Sequence, residues 1–513
     1  MMVPPLPFPI LQTVPLPVPA EPVVVGAILL YFILILGIGA VATRGIRDAG
    51  DFFLAGKSIG LVALSLSAVA ATLSGFTFIG GPGLLYSVGL GALFIILPAG
   101  ITNAVGAWVL AKRLRVLADV RPVLTLPDAI GARYRSPGAQ GLAGLSVLLA
   151  VVGYMATNVL AMGVVLEAVL GVGLAWGIWI GAGVTLAYAV GGGIRAAIWT
   201  DVLQGTIMAL ASILVFVFVL GVGGEVGEGR GLASISQAIL AHDPAFLEPW
   251  GHLGPLAAIS FLFVFSMGVL GQPHVLHKFY MLRRPRDFRW YPLVSALALC
   301  LTVLLFFGVG MAVKGLVVTG AVPELSHPDQ ATPVFLLNQT PLLLAALVFA
   351  GVVAAIMSTL NSFMNVGAAA LVHDIPRALG AGGGDLLARG RLATLAITVV
   401  AALVAQHSGT LVAFLGIFGW GLFASTLVPA LAVGMNWTGA TRAGAIASIG
   451  TGLVGTVALE VGAFFGLLGL PAGVTVSGLT LVASFLVFFG VSWLTRNQAA
   501  DDLDPDMRVI IEG

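Results

Sequence analysis

Long apolar stretches separated by short polar loops run along almost the whole chain. A helix rises about 1.5 Å per residue, so roughly 20 apolar residues cross a hydrocarbon core about 30 Å thick, where backbone amides must be paired within the helix. Thirteen such stretches stand out, near residues 22 to 43, 61 to 86, 90 to 111, 140 to 170, 173 to 191, 198 to 222, 254 to 276, 291 to 317, 333 to 368, 389 to 406, 410 to 435, 442 to 469 and 473 to 495. The pattern predicts an all-α polytopic membrane protein with about 13 transmembrane helices. Two stretches are interrupted near their middles by small and polar residues: the second, LVALSLSAVAATLSGFTFIGGPGLLY, and the seventh, LAAISFLFVFSMGVLGQPHVL.

Composition agrees with this pattern. Of 513 residues, 59% are hydrophobic and 9% charged, against about 25% charged in soluble domains. The 23 Lys and Arg nearly balance the 22 Asp and Glu, so nothing in the net charge points to nucleic acid. The placement of the basic residues is more informative. With the N-terminus outside, 21 of the 23 fall at inner loops, Lys278 among them, and only Arg230 and Lys314 fall outside. That bias predicts a C-terminus in the cytoplasm and a bacterial-type inner membrane as the location. Cys300, the single cysteine, cannot form an intramolecular disulfide and reads as a packing residue. The proline-rich N-terminus has neither the basic region nor the small-residue cleavage site of a signal peptide, so the first span is expected to be retained. Loops and tail are too short for a soluble domain with a core of its own. No HExxH motif and no nucleophile with an adjacent base is evident, so the chain is expected not to be an enzyme and to have no catalytic residues.

The two interrupted spans would enter the membrane from opposite sides. Unwound segments in corresponding positions of two halves are the sequence signature of a carrier's binding site, because they offer carbonyls and half-helix ends to ions. The predicted organisation is an N-terminus, first helix and loop over 1–60, a first five-helix repeat over 61–222, an outer loop over 223–253, and an inverted repeat over 254–436. Two peripheral helices over 437–495 and a cytoplasmic tail over 496–513 complete it. The competing reading is that Gly and Ser only let neighbouring helices approach closely.

At this point the residues resemble a known family. The segments DFFLAGKSIG (51–60), SGF (74–76), YAVGGGIRAAIWTDVLQG (188–205), GQPHVLHKF (271–279) and AAIMSTLNS (354–362), in this order and on these spans, are similar to the sodium:solute symporters, which include sodium/proline, sodium/glucose and pantothenate carriers. The resemblance implies a leucine-transporter-type fold with five-helix inverted repeats, and Na+ as coupling ion with no organic cofactor. It implies a sodium site made of the Ser358 and Thr359 hydroxyls with the carbonyls of Ala355, Ala70 and Leu73. Na+ is a hard cation that takes oxygen ligands. Read without the resemblance, Ser358 and Thr359 could instead bond back to carbonyls of their own helix. Where proline carriers have an aspartate on the second span this chain has Thr72, which leaves Na+ against H+ open. Asp201 matches an aspartate linked to sodium release; alternatively it caps a helix start or pairs with a nearby Arg.

The solute is expected between spans two, four, seven and eleven, facing Thr72, Ser74, Phe76, Tyr154, Asn158, Ser266, Gln272, Phe418 and Trp420. Tyr154 and Asn158, four apart, share a helix face. GQPH resembles the proline branch while Thr72 fits the sugar branch, so the solute stays open among amino acids such as proline, monocarboxylates, sugars and vitamins. His274 and His277 lie towards the inner end of span seven, where they line an exit path or bond helix-end carbonyls. The expected function is sodium-coupled symport by alternating access. The alternatives are a proton-coupled carrier and a non-transporting sensor of the same fold. The expected partners are the solute and the lipid bilayer, with no nucleic acid and no obligate protein partner.

Overall fold

A computed structural model of the chain describes residues 21–43, 59–227, 229, 231–381, 385–409 and 412–512. Most of DFFLAGKSIG therefore lies outside the described residues. The helices used below are α1 (Pro22–Thr43), α2 (Leu61–Thr72), α3 (Gly81–Val88), α4 (Leu93–Gly106), α5 (Lys112–Val120), α6 (Leu126–Tyr134), α7 (Pro137–Leu170), α8 (Leu174–Val226) and α9 (Pro255–Gly268). They continue with α10 (Pro273–Leu276), α11 (Tyr291–Val318), α12 (Ala331–Gln339), α13 (Leu342–Ala369), α14 (Leu386–His407), α15 (Val412–Leu427), α16 (Arg442–Phe464), α17 (Val476–Leu494) and α18 (Pro505–Glu512).

Among the described residues the architecture is entirely helical apart from one bridge between Ile59 and Leu282. Among the described residues eleven helical runs are long and apolar enough to cross a membrane, so thirteen is not confirmed as a count. The difference lies where helices break or shorten. The second stretch is split, with Leu61–Thr72 too short to count alone and its outer half running on into the third stretch as Phe76–Val120, while Leu174–Ala187 is also a shorter apolar helix. The ninth stretch begins later than 333, because Pro341 precedes the helix that starts at Leu342 and α12 forms a separate helix.

Burial sorts the bundle into centre and rim. Buried residues make up 83% of the most apolar window in both Pro137–Leu170 and Val412–Val433, but only 33% in Pro22–Val41. Helix α2 lies against α8, α13 and α10, and α7 lies against α13 and α15, so these elements surround both interrupted spans. Cys300 is exposed on α11, a correction to its reading as a packing residue: its position faces away from the bundle.

Basic residues gather at one end, called the basic end below, where they also connect elements. The Arg115 Nε donates to the Leu282 carbonyl at 2.7 Å, and the buried Arg133 donates to the carbonyls of Gly434 and Trp437 at 2.7 and 2.9 Å. Arg121 pairs with Asp504 at 2.7 Å, and Arg113 donates to the Ile511 carbonyl at 3.1 Å, which fastens α18 to α5. Each arginine thus satisfies carbonyls or carboxylates at helix ends that would otherwise lack partners.

At the opposite end, Asp329 ties a loop to the bundle. Its carboxylate accepts from the Val412 amide at 2.9 Å, at the first turn of α15, where the helix dipole favours an anion. Thr332 donates to the Phe78 carbonyl at 2.6 Å, so the same short segment holds the outer half of the second span. Burial pushes the Asp329 carboxyl from 3.8 up to about 7, although the Val412 amide opposes this. His327 stands 3.6 Å away, its own pKa lowered by burial. An acid whose folded pKa is raised binds its proton more tightly when folded, so its contribution to stability is complete below 3.8 and is lost as pH rises through about 7. Asp329→Asn is therefore expected to flatten the fall in melting temperature between about pH 4 and pH 7. Parallel melting curves of wild type and variant across that range test it, and superimposable pH profiles would contradict it.

Candidate functional site

The second span breaks where its sequence turns to Leu73–Ser74–Gly75. Leu73 is extended (φ −83°, ψ 110°), ending α2, and a wide π turn over Phe76–Gly80 restarts the helix. The last carbonyls of a helix have no partner within it, and only one of them, Val69, is taken up by the Leu73 amide at 2.9 Å. Asn158 on α7 holds the break open: its Oδ1 accepts from the Gly75 amide at 2.9 Å and its Nδ2 donates to the Tyr154 carbonyl at 3.0 Å. Ser74 caps locally, its Oγ accepting from the Phe76 amide at 3.2 Å and lying 3.4 Å from the Tyr154 hydroxyl.

The seventh span breaks in a similar way. Helix α9 passes through a short 3-10 turn to Gln272, which is extended (φ −77°, ψ 102°), and α10 restarts at Pro273. Proline has no amide to donate, so the chain can turn here without leaving a buried N–H unpaired.

Thr359, on α13, faces the first break. Its Oγ1 lies 3.2 Å from the Ala71 carbonyl, 3.1 Å from that of Leu73 and 3.1 Å from that of Ala355. A hydroxyl has one proton and can donate to only one of these oxygens. Ala355 lies inside α13, where helix amides also serve its carbonyl, and His274 hydrogen-bonds the Ala71 backbone as well, so the surplus acceptor is chiefly the Leu73 carbonyl at the end of α2, where the helix dipole is negative. Four oxygens thus converge as the donor set of a hard cation does. The expected Leu73, Ala355 and Thr359 are brought together here. Ala71 replaces Ala70 as the α2 residue within bonding distance of Thr359, and Ala70 is fully buried nearby. Back-bonding to Ala355, the competing reading of Thr359, is present as one of three contacts.

Ser358 turns towards α8. Its hydroxyl donates to Asp201 Oδ1, while Asp201 Oδ2 accepts from Ser67 at 2.6 Å and from Lys278 at 2.9 Å. The remaining Lys278 protons go to the Ser67 carbonyl at 2.7 Å and its hydroxyl at 2.8 Å. Both charged side chains are 0% exposed. Lys278, read from the sequence as one of the inner-loop charges, is instead the buried counterion of Asp201. Counting charges hides this, because one lysine at a span end looks like any other. Asp201 sits inside the continuous helix α8 rather than at its start, and its basic partner is Lys278 rather than the expected arginine.

Aromatic rings fill the space between the breaks. Phe76 stacks on Phe265 with centroids 5.9 Å apart, and Phe265 on Trp420 at 5.1 Å. Tyr154 lies 4.9 Å from Phe363 and 6.3 Å from Trp420. Gly268 is required: a Cβ there would sit 2.2 Å from the Trp420 indole nitrogen. Three buried polar atoms in this region have no hydrogen-bond partner, Gln272 Oε1, His274 Nδ1 and Trp420 Nε1. Ser74, Phe76, Tyr154, Gln272 and Trp420 are therefore gathered. Thr72 bonds back to the Ala68 carbonyl at 2.9 Å, and Asn158 spends its amide on the break. Ser266 is half-exposed and Phe418 is half-buried beside Gly153. Phe265, one position before Ser266, occupies the inner face, and no polar signal in the sequence marks it. His274 and His277 are both buried, His274 with its ring 4.2 Å from Phe363 and His277 beside a small cavity towards the basic end.

The sequence profile of the sodium:solute symporter family matches residues 52–452. The chain belongs to that family. Among related proteins, the high-affinity proline transporter PutP of Bacillus subtilis is 29% identical over 91% of this chain and 97% of its own length. The sodium/pantothenate symporter of Escherichia coli is 27% identical, covering 82% of this chain and 86% of its own. A Na+-coupled sialic acid symporter in a substrate-bound outward-open state superposes with a TM-score of 0.74 at 19% identity, over 93% of this chain and 98% of that one. At that identity the likeness establishes the fold, which is of the leucine-transporter type. The relatives of this symporter family member are transporters, not enzymes, and the protein is a multi-pass membrane protein.

The Asp201–Lys278 pair generates a prediction. Removing one partner of a buried pair leaves an uncompensated charge and typically costs about 3–5 kcal/mol, whereas removing both is far milder. Lys278→Met is expected to lower the melting temperature of the purified protein sharply, and Lys278→Met with Asp201→Asn to recover most of the loss. A double variant as unstable as the sum of the singles would contradict the pairing.

Proposed function

We propose that this symporter couples Na+ to the import of a small organic solute by alternating access, with its N-terminus outside and its C-terminus in the cytoplasm. The observation that carries the reading is the convergence of the Ala71, Leu73 and Ala355 carbonyls on the Thr359 hydroxyl. Ser358, next along α13, would complete the ion's surroundings and link it through Asp201 to Lys278.

The solute would lie among Ser74, Tyr154, Gln272 and Trp420, against the Phe76 and Phe265 rings. Buried polar atoms without partners cost roughly 1–3 kcal/mol each. The carbonyl oxygen of Gln272 and the indole N–H of Trp420 therefore suit a solute that offers both a donor and an acceptor on a compact apolar body. The proline and pantothenate carriers among the relatives support an amino acid or a carboxylate-bearing vitamin over a sugar.

Entry of one Na+ along a membrane potential releases about 2.3 kcal/mol per 100 mV before its concentration gradient is counted, which corresponds to more than a tenfold solute accumulation. The ion and the solute adjoin the same break from opposite sides, so each would stabilise the other's binding by linkage. One observation favours a second reading, proton coupling. Lys278 places an ionisable cation one carboxylate away from the hydroxyl pair, and a lysine that gave up its proton there would take part in the ion cycle.

The deciding experiment compares the melting temperature of the purified protein in Na+ and in K+, for wild type, Ser358→Ala and Thr359→Ala, against proline, pantothenate, monocarboxylates and sugars. Ligand binding to the native state raises stability by RT ln(1 + [L]/Kd). The sodium reading expects a rise in Na+ over K+ that Thr359→Ala abolishes and Ser358→Ala weakens, with a further Na+-dependent rise for the transported solute. A wild type indifferent to Na+ but responsive to pH would replace it with proton coupling.

A further inference from the structure

A second polar cluster lies at the basic end, between α6 and the π turn Ala370–Asp374 that follows α13. Asp128 closes a capping box with Thr125, and its Oδ2 also accepts from the Leu124 amide at 2.9 Å. The His373 Nε2 stands 3.1 and 3.0 Å from the two Asp128 oxygens. Gln140 bridges the carboxylates, with its Nε2 2.7 Å from Asp128 Oδ1 and 3.4 Å from Asp374 Oδ1. Thr125 donates to Asp374 Oδ1 at 2.6 Å. The second oxygen of Asp374, a residue only 1% exposed, has no partner.

Asp128, His373 and Asp374 each offer a ligand atom, all within 4.8 Å of one another. Capping and a salt bridge account for Asp128, which also pairs with Arg377 at 3.3 Å. They do not account for Asp374. A buried carboxylate oxygen that lacks a donor and adjoins a second carboxylate is costly unless it takes up a proton or a cation stands between them. A cavity of about 10 Å³, room for about one water molecule, is lined by Asp374 with Thr125, Asn365 and His277. Arg377 is 54% exposed and can swing into solvent.

We propose that Asp128, His373 and Asp374 form a binding site for a divalent transition-type cation. One imidazole nitrogen and two carboxylate oxygens suit Mn2+ or Zn2+, whereas Mg2+ and Ca2+ prefer all-oxygen shells. The site is separate from the sodium site and does not depend on it. Asp128 belongs to a helix between two spans and His373 and Asp374 to the end of another, so a bound cation would cross-link them. Tyr280 extends the link, its hydroxyl donating to the Thr125 carbonyl at 3.0 Å, from the segment that follows the broken seventh span. Occupancy would fasten α6 to the π turn that follows α13.

The test uses the full chain freed of any histidine tag. Equilibrium dialysis with Mn2+, and melting temperatures in Mn2+, Zn2+, Mg2+ and K+, are measured for wild type, His373→Gln, Asp374→Asn and His242→Gln, the last altering an exposed histidine. Expected are one Mn2+ bound per wild-type chain, stabilisation by Mn2+ and Zn2+ but not Mg2+, and affinity weakened more than about tenfold by the first two variants and unchanged by the third. Wild type that binds no Mn2+ and gains no stability from Zn2+ overturns the proposal whether or not the variants fold. So does binding that survives in a folded His373→Gln or Asp374→Asn.

Discussion

Within hydrocarbon, a backbone carbonyl that leaves its helix must find a new partner, and the rest of this structure depends on that constraint. The chain leaves the helix at Leu73–Ser74 and again at Gln272, and each break is surrounded by side chains chosen by what it exposes. On one side of the first break Asn158 receives the freed Gly75 amide. On the other side Thr359 meets three carbonyls with a single proton. The amide side of the break is satisfied by protein alone. The carbonyl side brings more acceptors than the single Thr359 proton can serve, and the proposed ion site rests on that asymmetry.

The buried Asp201–Lys278 pair connects this site to the opposite half of the fold. Asp201 stands on α8, Ser67 on α2, Ser358 on α13 and Lys278 just past α10, so one carboxylate on α8 collects groups from both broken spans and from α13. Buried pairs contribute little net stability because desolvation offsets attraction. In the proposed mechanism their value is conformational: a movement of the seventh span that displaces Lys278 takes the cation away from Asp201, so the proposed ion site and span movement would be linked through one carboxylate.

The fold class and the positions of the two breaks were legible because hydrocarbon imposes an unmistakable pattern: apolar runs mark spans, and Ser, Gly and Pro in the middle of a run mark breaks. Thr359, Leu73 and Ala355 were legible through resemblance, which carries backbone positions that no side chain announces. Lys278 was hidden because a lysine at a span end looks the same whether it meets water or a carboxylate. Phe265 and Phe363 were hidden for a related reason: in a membrane helix an aromatic facing lipid and one facing the site have the same composition, and only the helix rotation separates them. The shift from Ala70 to Ala71 is a matter of one residue at a helix end, which depends on how the last turn unwinds.

The central claim is that a cation holds the break in the second span. Hydrogen exchange of the backbone amides over residues 69–80, compared in Na+ and in K+ with no solute present, tests it most directly. The account predicts that Na+ slows exchange in this segment, and at residues 355–359 facing it, while leaving α16 and α17 unchanged. Equal exchange in both ions would contradict it, because the Ala71 and Leu73 carbonyls would then be satisfied without sodium.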